Sequence, residues 1–406
     1  MPDLAAIRAR FPAFQGARPR DEALLDNAGG SQLPDVVIDA MTSYMRSSFV
    51  QTGAGYDASL RAGQTVRAAH DVVETIFNAQ GVGRAILGAS ATSLTSMLAD
   101  CVARREDRTR NEIILSIANH ESNIGPWTRL ERLGFVIRWW NLNPETRRCE
   151  LEDLEALLGE RTAFVCVPHV SNIFGAIEPV EAIIERAHAC GARVVCDGVA
   201  YVPHRAPNVR ALGADVYLYS TYKVYGPHLG AMFLRDDLIA ELEGPNHAFI
   251  GRDEVPRKFE PGGVSHEACA GLAALPDYLC FLAERETFDR ATVEAAFERM
   301  TALEVHGQTR LLEALAQAEG IRVFGSLDPD PERRVSTVSC VVRDRASRDV
   351  AHQAWANGVG LRYGHFYSER LVRALGLDPA DGVVRLSTVH YTSDEEIEAG
   401  LGALGL

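Results

Sequence analysis

The 406-residue sequence lacks the features that mark several large classes of protein. No apolar run approaches the roughly 20 residues of a membrane-spanning helix. Positive charge is not in excess: 41 Lys and Arg stand against 55 Asp and Glu, a net charge of −14. That balance argues against a nucleic acid or an acidic membrane as partner. There is no internal repeat and no low-complexity segment. Residues 1–30 carry four arginines and only short apolar stretches, so no export signal is expected, and the cytoplasm is the expected compartment. The eight cysteines (101, 149, 166, 190, 196, 269, 280 and 340) form no C-x-x-C pair and no metal-type spacing. Several sit in apolar runs such as 165–167 and 194–196, which reads as reduced core thiols. His120-Glu121 has no second histidine four residues on, so no metal is expected.

What is present is a soluble globular composition, 47% hydrophobic and 24% charged, at a length that suits two domains. The first hundred residues read as a short helix over 4–11, a strand over 23–26, and helices over 34–47, 60–77 and 93–104. Between them lie the turn Asn27-Ala28-Gly29-Gly30, a small-residue loop ending at Tyr56, and a strand over 84–87. Strands are then predicted over 112–117, 135–140, 162–168, 193–196, 215–219 and 230–234, with helices over 126–134, 151–158 and 180–190. Continuous apolar strands separated by amphipathic helices indicate an α/β fold with a mostly parallel sheet covered on both faces. After about residue 265 long helices over 267–285 and 288–319 appear. Strands over 321–324, 337–342 and 383–388 follow, with helices over 347–357 and 394–404. This reads as a smaller α+β domain.

The chain is organised around YLYSTYKVYGPHLGAMF at 217–233. Lys223 follows a strand and a hydroxyl pair, and a Gly-Pro turn follows it. Partial desolvation would lower its pKa and free the amine as a nucleophile. Pyridoxal phosphate is the commonest partner for such a lysine; the other reading is an exposed strand-end lysine. Four further strand ends carry polar residues, where parallel sheets place their sites. Ser90, Ala91 and Thr92 open a helix and suit a phosphate, or simply cap it. His120 could stack on a flat ring or move protons. Asn172 could donate to a ring oxygen, or hold a turn. Asp197 ends an apolar strand and calls for a cationic partner such as a protonated pyridine nitrogen, or a structural one.

With those residues in place the chain resembles the class V aminotransferase group of fold-type I pyridoxal phosphate enzymes, and within it the cysteine desulfurase-like proteins. The resemblance spans nearly the whole length. It is carried by LDNAGGSQLP at 25–34, ANHESNIGPW at 118–127, HVSNIFGAI at 169–177, VVCDGVAY at 194–201, YSTYKVYGP at 219–227, FEPGGVSHE at 259–267, GLRYGHFYS at 360–368 and VRLSTVHYTSDEEI at 384–397. It implies an N-terminal arm (1–20) packing with the small domain, a large cofactor domain (21–265) of seven-stranded type, and a small C-terminal domain (266–406). It implies that Lys223 binds the cofactor's aldehyde and shuttles the substrate α-proton. His120 would stack on the ring, Asp197 bind its nitrogen, and Asn172 its hydroxyl side. Ser220 and Tyr222 would hold the phosphate with the Ala91-Thr92 turn. Arg385 would bind the substrate carboxylate, with Ala28, Tyr56, Arg362 and Tyr367 as further substrate contacts.

The departures bear on the reaction. Desulfurases of this kind carry a persulfide-forming cysteine in the loop that here reads Arg362-Tyr363-Gly364-His365-Phe366-Tyr367. Tyr367 takes that place, and no cysteine follows Cys340. Ala200 replaces the glutamine that often follows the ring aspartate. Gly263 replaces a threonine that a partner subunit lends to the phosphate, so a homodimer is implied. The expected function is elimination of the C–S lyase type on an amino acid or amine; the alternative is aminotransfer or epimerisation. A nicotinamide-dependent dehydrogenase is the rival enzyme class, resting only on Gly81-Val82-Gly83, which precedes a strand where a dinucleotide loop follows one. A binding protein on a degenerate enzyme fold is the third.

Overall fold

The computed structural model describes residues 2–16, 22–106 and 108–406, so Met1 and residues 17–20 of the expected arm lie outside the described residues. A seven-stranded sheet forms from β1 (Gly83–Gly88), β2 (Glu112–Ser116), β3 (Val136–Trp140), β4 (Thr162–Pro168), β5 (Arg193–Asp197), β6 (Val216–Ser220) and β7 (Gly230–Arg235). Its order is β1-β7-β6-β5-β4-β2-β3, and only β7 runs against its neighbours. The mostly parallel sheet expected from the alternating pattern is therefore present.

Residues on β4 to β7 alternate between two cores. Val165, Val167, Val194, Tyr217 and Phe233 face one; Phe164, Cys166, Val195, Leu218 and Met232 face the other. Every residue of β4 and β6 is buried, the result of covering both faces, and it explains runs without polar alternation. The first face is covered by α1 (Asp35–Ser47), α2 (Asp57–Phe77), α4 (His266–Ala283) and the start of α5 (Arg290–Gln317). The second is covered by α3 (Ala91–Ala103).

A second, antiparallel sheet contains β8 (Ile321–Phe324), β9 (Thr337–Val342), β10 (Arg362–Gly364) and β11 (Val383–Ser387), in the order β10-β11-β9-β8. The end of α5 and the closing helix Asp394–Leu404 cover it. The chain's N-terminal part reaches both sheets. Arg8 bonds Glu396 at 2.7 Å, and the buried Phe11 packs edge-on against Tyr225, Tyr278 and Tyr391.

Three local expectations change. The helix expected over 126–134 is one α-turn, Gly125–Thr128, followed by a 3-10 segment, Arg129–Leu133. Helix Leu151–Glu155 is shorter than expected. Gly83 opens β1 because a Cβ there would sit 2.2 Å from the Leu234 carbonyl oxygen, so this glycine answers to strand packing and the dinucleotide reading loses its one cue. Among the described residues no helix is long and apolar enough to cross a membrane.

Candidate active site

The carboxyl ends of β1, β2, β4, β5 and β6 converge at one rim of the large sheet, and a cavity of about 80 Å³ opens there. Its walls include Ser90, Ala91, Thr92, His120, Asn172, Asp197, Ser220, Tyr222 and Lys223. Residues spread over more than a hundred positions thus meet because parallel strands bring their carboxyl ends to the same side.

Lysine occurs at two positions in the chain, 223 and 258. Lys258 is buried elsewhere, its ammonium donating to the Ile239 carbonyl at 2.7 Å. Lys223 makes no hydrogen bond or ion pair to a described residue, and the surface it keeps is cavity wall. Its backbone is fixed from outside: Ser31 donates to the Tyr222 carbonyl through N–H (3.0 Å) and Oγ (3.1 Å), and accepts from Tyr225 N–H (2.9 Å). Burial, helped by Arg385, lowers the Lys223 pKa to about 8.

Asp197 is 4% exposed, and burial raises its carboxyl to about 6 against the pull of Val199 N–H, 2.9 Å from Oδ1, and Ser122. The two shifts act on stability with opposite slopes. Between pH about 4 and 6 the folded state holds the Asp197 proton more tightly than the unfolded chain, so stability falls as pH rises through that window. Between about 8 and 10 the unfolded chain holds the Lys223 proton more tightly, so stability recovers as pH rises. At neutral pH both groups carry a desolvated charge, each a penalty of about 3 kcal/mol.

His120 is neutral, because burial, with Lys223 and Arg385 nearby, takes its pKa down to about 3. Nδ1 accepts from Ser122 N–H at 3.1 Å, which leaves the proton on Nε2. The tyrosine at 367 lies over this ring, centroid to centroid 5.2 Å at 40°.

Arg385, 3% exposed, is paired with Asp26 at 3.2 Å and capped by the Phe366 ring at 3.9 Å. Its Nε is buried without a hydrogen-bond acceptor. Arg362 is exposed and reaches the other carboxylate oxygen of Asp26 at 3.6 Å. Asn172 is engaged with the loop: Nδ2 donates to the Phe366 carbonyl (2.9 Å) and Oδ1 accepts from Ser368 (2.8 Å). One amide hydrogen of Asn172 has no partner among the described residues. Phe366 and Tyr367 both hold positive φ (50° and 58°), and the Tyr367 carbonyl accepts from Glu121 N–H at 2.7 Å.

Of the remaining expected contacts, Ala28 donates its N–H to Ser387 Oγ at 2.7 Å. Tyr56 is an exposed residue ahead of α2, and Gly263 lies at a different cavity. The Ser90 hydroxyl accepts from Ser93 N–H and the Ser90 N–H donates to Ser93 Oγ at 3.0 Å, a capping box that leaves the N–H groups of Ala91 and Thr92 for the cavity. Sequence reasoning passed over Asp26, Ser122, Phe366 and Ser368, although each lies in or beside a segment that carried the resemblance.

The Aminotransferase class-V family model matches residues 23–399. The chain belongs to the class-V aminotransferase family. It is 35% identical to the aminotransferase-like protein FGM3 of Gibberella zeae, over 98% of this chain and 96% of that one. It is 30% identical to a probable cysteine desulfurase of Vibrio cholerae, over 100% and 98%. It is also 30% identical to the cysteine desulfurase-like protein ustD of Aspergillus flavus, over 98% and 89%. Its fold is similar to that of a cysteine desulfurase from Thermococcus onnurineus, with a TM-score of 0.86 at 23% identity over 100% and 98% of the two chains.

Class-V members use pyridoxal 5′-phosphate, and this chain is a pyridoxal-phosphate-dependent, cysteine desulfurase-like enzyme. The donor set fits that cofactor. An unpaired buried amine faces the cavity, and a buried carboxylate lacks a cation. Free N–H groups of α3 line the same wall. Gly230 keeps that wall close: a Cβ there would lie 2.3 Å from the Ser90 carbonyl carbon.

An Asp197→Asn variant separates the two roles of the carboxylate. Apoprotein stability at pH 8 should rise by up to about 3 kcal/mol, because a buried charge is gone. Turnover of the loaded enzyme should fall at least tenfold, about 1.4 kcal/mol or more. Denaturant melts of apoprotein and steady-state rates of holoenzyme give both numbers, and unchanged turnover would make Asp197 merely structural.

Proposed function

We propose that this enzyme is an amino acid lyase that eliminates a β- or γ-substituent, of the C–S lyase type, without carrying sulfur on a cysteine. The observation that carries this reading is the wall of the Lys223 cavity. It holds an amine with a depressed pKa, and no cysteine lines it. Six of the eight thiols are buried and the other two, Cys190 and Cys280, lie outside the cavity.

The bound cofactor supplies the electron sink that makes the substrate α-proton removable. The chain's own residues do the rest. Lys223, whose amine burial shifts toward the neutral form, takes the α-proton. The neutral His120 ring would pack against the cofactor without adding charge. Asp197 would keep the ring nitrogen protonated and regain in that ion pair what its burial costs. Ser220, Tyr222 and the start of α3 would hold the phosphate. Arg385, with a buried N–H lacking an acceptor, receives the substrate carboxylate, and Asp26 orients it from behind. Tyr367 donates its phenol hydroxyl to a substrate polar group or protonates the leaving group. Aminotransfer is the second reading, and the name of the Gibberella zeae relative favours it.

Site completion in a homodimer belongs to the same proposal. Gly262 and Gly263 line a surface cavity of about 950 Å³ together with Phe49 and Phe249, which are 70% and 77% exposed. Exposed aromatics beside the segment that would reach a second subunit's phosphate are what a two-fold interface needs. Sedimentation at assay concentration should give a dimer, and a fully active monomer would contradict it.

Two variants test the loop. Tyr367→Phe should lower turnover at least tenfold if the hydroxyl acts, equivalent to about 1.4 kcal/mol; an unchanged rate would leave Tyr367 with packing alone. Tyr367→Cys should gain thiol-stimulated sulfide release from free cysteine, which the native enzyme should lack. A protein-bound persulfide on any native cysteine during turnover would overturn the reading. Product analysis across an amino acid panel separates elimination from aminotransfer.

A further inference from the structure

A further cavity of about 740 Å³ lies between the two sheets and shares no wall residue with the Lys223 cavity. On the large-sheet side it is walled by residues 146–149, 174 and 176–179, on the other by residues 322–326 around β8. Its apolar surface comes from Phe174, Phe324 and Leu375.

One wall residue is out of keeping with an apolar gap. Glu178 is 8% exposed, and its hydrogen bonds are all made by its backbone: its N–H donates to the His169 carbonyl at 2.9 Å and its carbonyl accepts from Val180 N–H at 2.8 Å. Its carboxyl group makes no hydrogen bond or ion pair with a described residue. It does not cap the helix Val180–Ala189 that begins two residues on, which has no side-chain cap. A buried carboxyl without a partner is costly unless something donates to it, and burial pushes this one up to about 7. Around the same cavity lie four exposed arginines and the exposed Glu332. Arg333 is ion-paired with Asp328 at 3.5 Å and Asp330 at 3.4 Å, which leaves Arg147, Arg148 and Arg322. The Arg147 guanidinium bonds only the Ala374 carbonyl, at 3.5 Å, among the described residues, Arg322 stacks on Phe324 at 4.8 Å, and Arg148 lies near enough to Glu178 to be felt electrostatically. None of the three is ion-paired with a described carboxylate.

We propose that this cavity binds a second small molecule: an anion with an aromatic or apolar body and a hydrogen-bond donor at the end remote from its charge. The donor meets Glu178, the body lies against Phe174 and Phe324, and the anion meets Arg147, Arg148 and Arg322. Each part answers a group that the protein leaves unanswered. A charged donor on a buried carboxylate is among the stronger hydrogen bonds, and aromatic walls with a few convergent polar groups are how small-molecule sites are built. Such a ligand would touch both sheets and stabilise the chain by mass action.

The test uses holoenzyme and 4-amidinobenzoate, which has an amidinium donor, a ring and a carboxylate but no aliphatic amine to engage the Lys223 site. Calorimetry should show one probe bound per chain, with affinity at least tenfold weaker for benzoate and benzamidine, each lacking one end. Glu178→Gln and Arg148→Ala should each weaken the probe at least tenfold and leave turnover unchanged. No binding up to about 10 mM, or equal binding by Glu178→Gln, would overturn the proposal. So would the pattern of an internal pair, in which both variants lose stability and the native protein takes up no probe. If Glu178→Gln does not fold, the three-probe comparison on native enzyme and the surface variant Arg148→Ala decide.

Discussion

Desolvation of two opposite charges at neighbouring strand ends is the constraint on which this structure turns. Asp197 ends β5 and Lys223 follows β6, and those strands are adjacent in the sheet. Neither group pairs with the other, and each is held away from its ordinary pKa, to about 6 and about 8. An ion pair between them would relieve both and leave neither for a ligand. Separation by a cavity keeps the carboxylate in need of a cation and the amine free to react. The rigid α/β frame bears that penalty, with two cores packed on the faces of fully buried strands.

The loop at 364–370 is the second constraint. It carries two consecutive non-glycine residues at positive φ, a conformation that costs on the order of 1–3 kcal/mol per residue and persists only where neighbours enforce it. Asn172, Glu121 and Ser368 supply that enforcement through hydrogen bonds to or from the loop, and Arg370 adds an ion pair to Glu121 at 3.0 Å. The outcome is that Phe366 covers Arg385 and Tyr367 covers His120. The loop thus presents two aromatic rings, one on the guanidinium and one on the imidazole.

Much of this was legible from residue order. Strands Thr162–Pro168 and Thr337–Val342 have the expected bounds because apolar runs are closed by polar or proline residues. The closing helix Asp394–Leu404 does too, because Ser393 and Glu396 form a capping box. The strand-end residues of the cavity were readable because parallel topology sends those ends to one rim. Pairings across distance were not. Asp26 and Arg385 are 359 positions apart, and nothing local marks the aspartate as the guanidinium's partner. Strand Arg362–Gly364 is too short and polar to show periodicity, and it exists because β11 offers an edge. The engagement of Asn172 with the loop and the lone burial of Glu178 are likewise products of packing.

The central claim is that Lys223 is the amine the cofactor joins. With only two lysines in the chain, the most direct measurement is borohydride reduction of the holoenzyme followed by peptide mass analysis. The account predicts a pyridoxyl group on the peptide containing Lys223 and none on the peptide containing Lys258, whose ammonium already donates to a buried carbonyl. A label on Lys258, or on neither lysine, would contradict it.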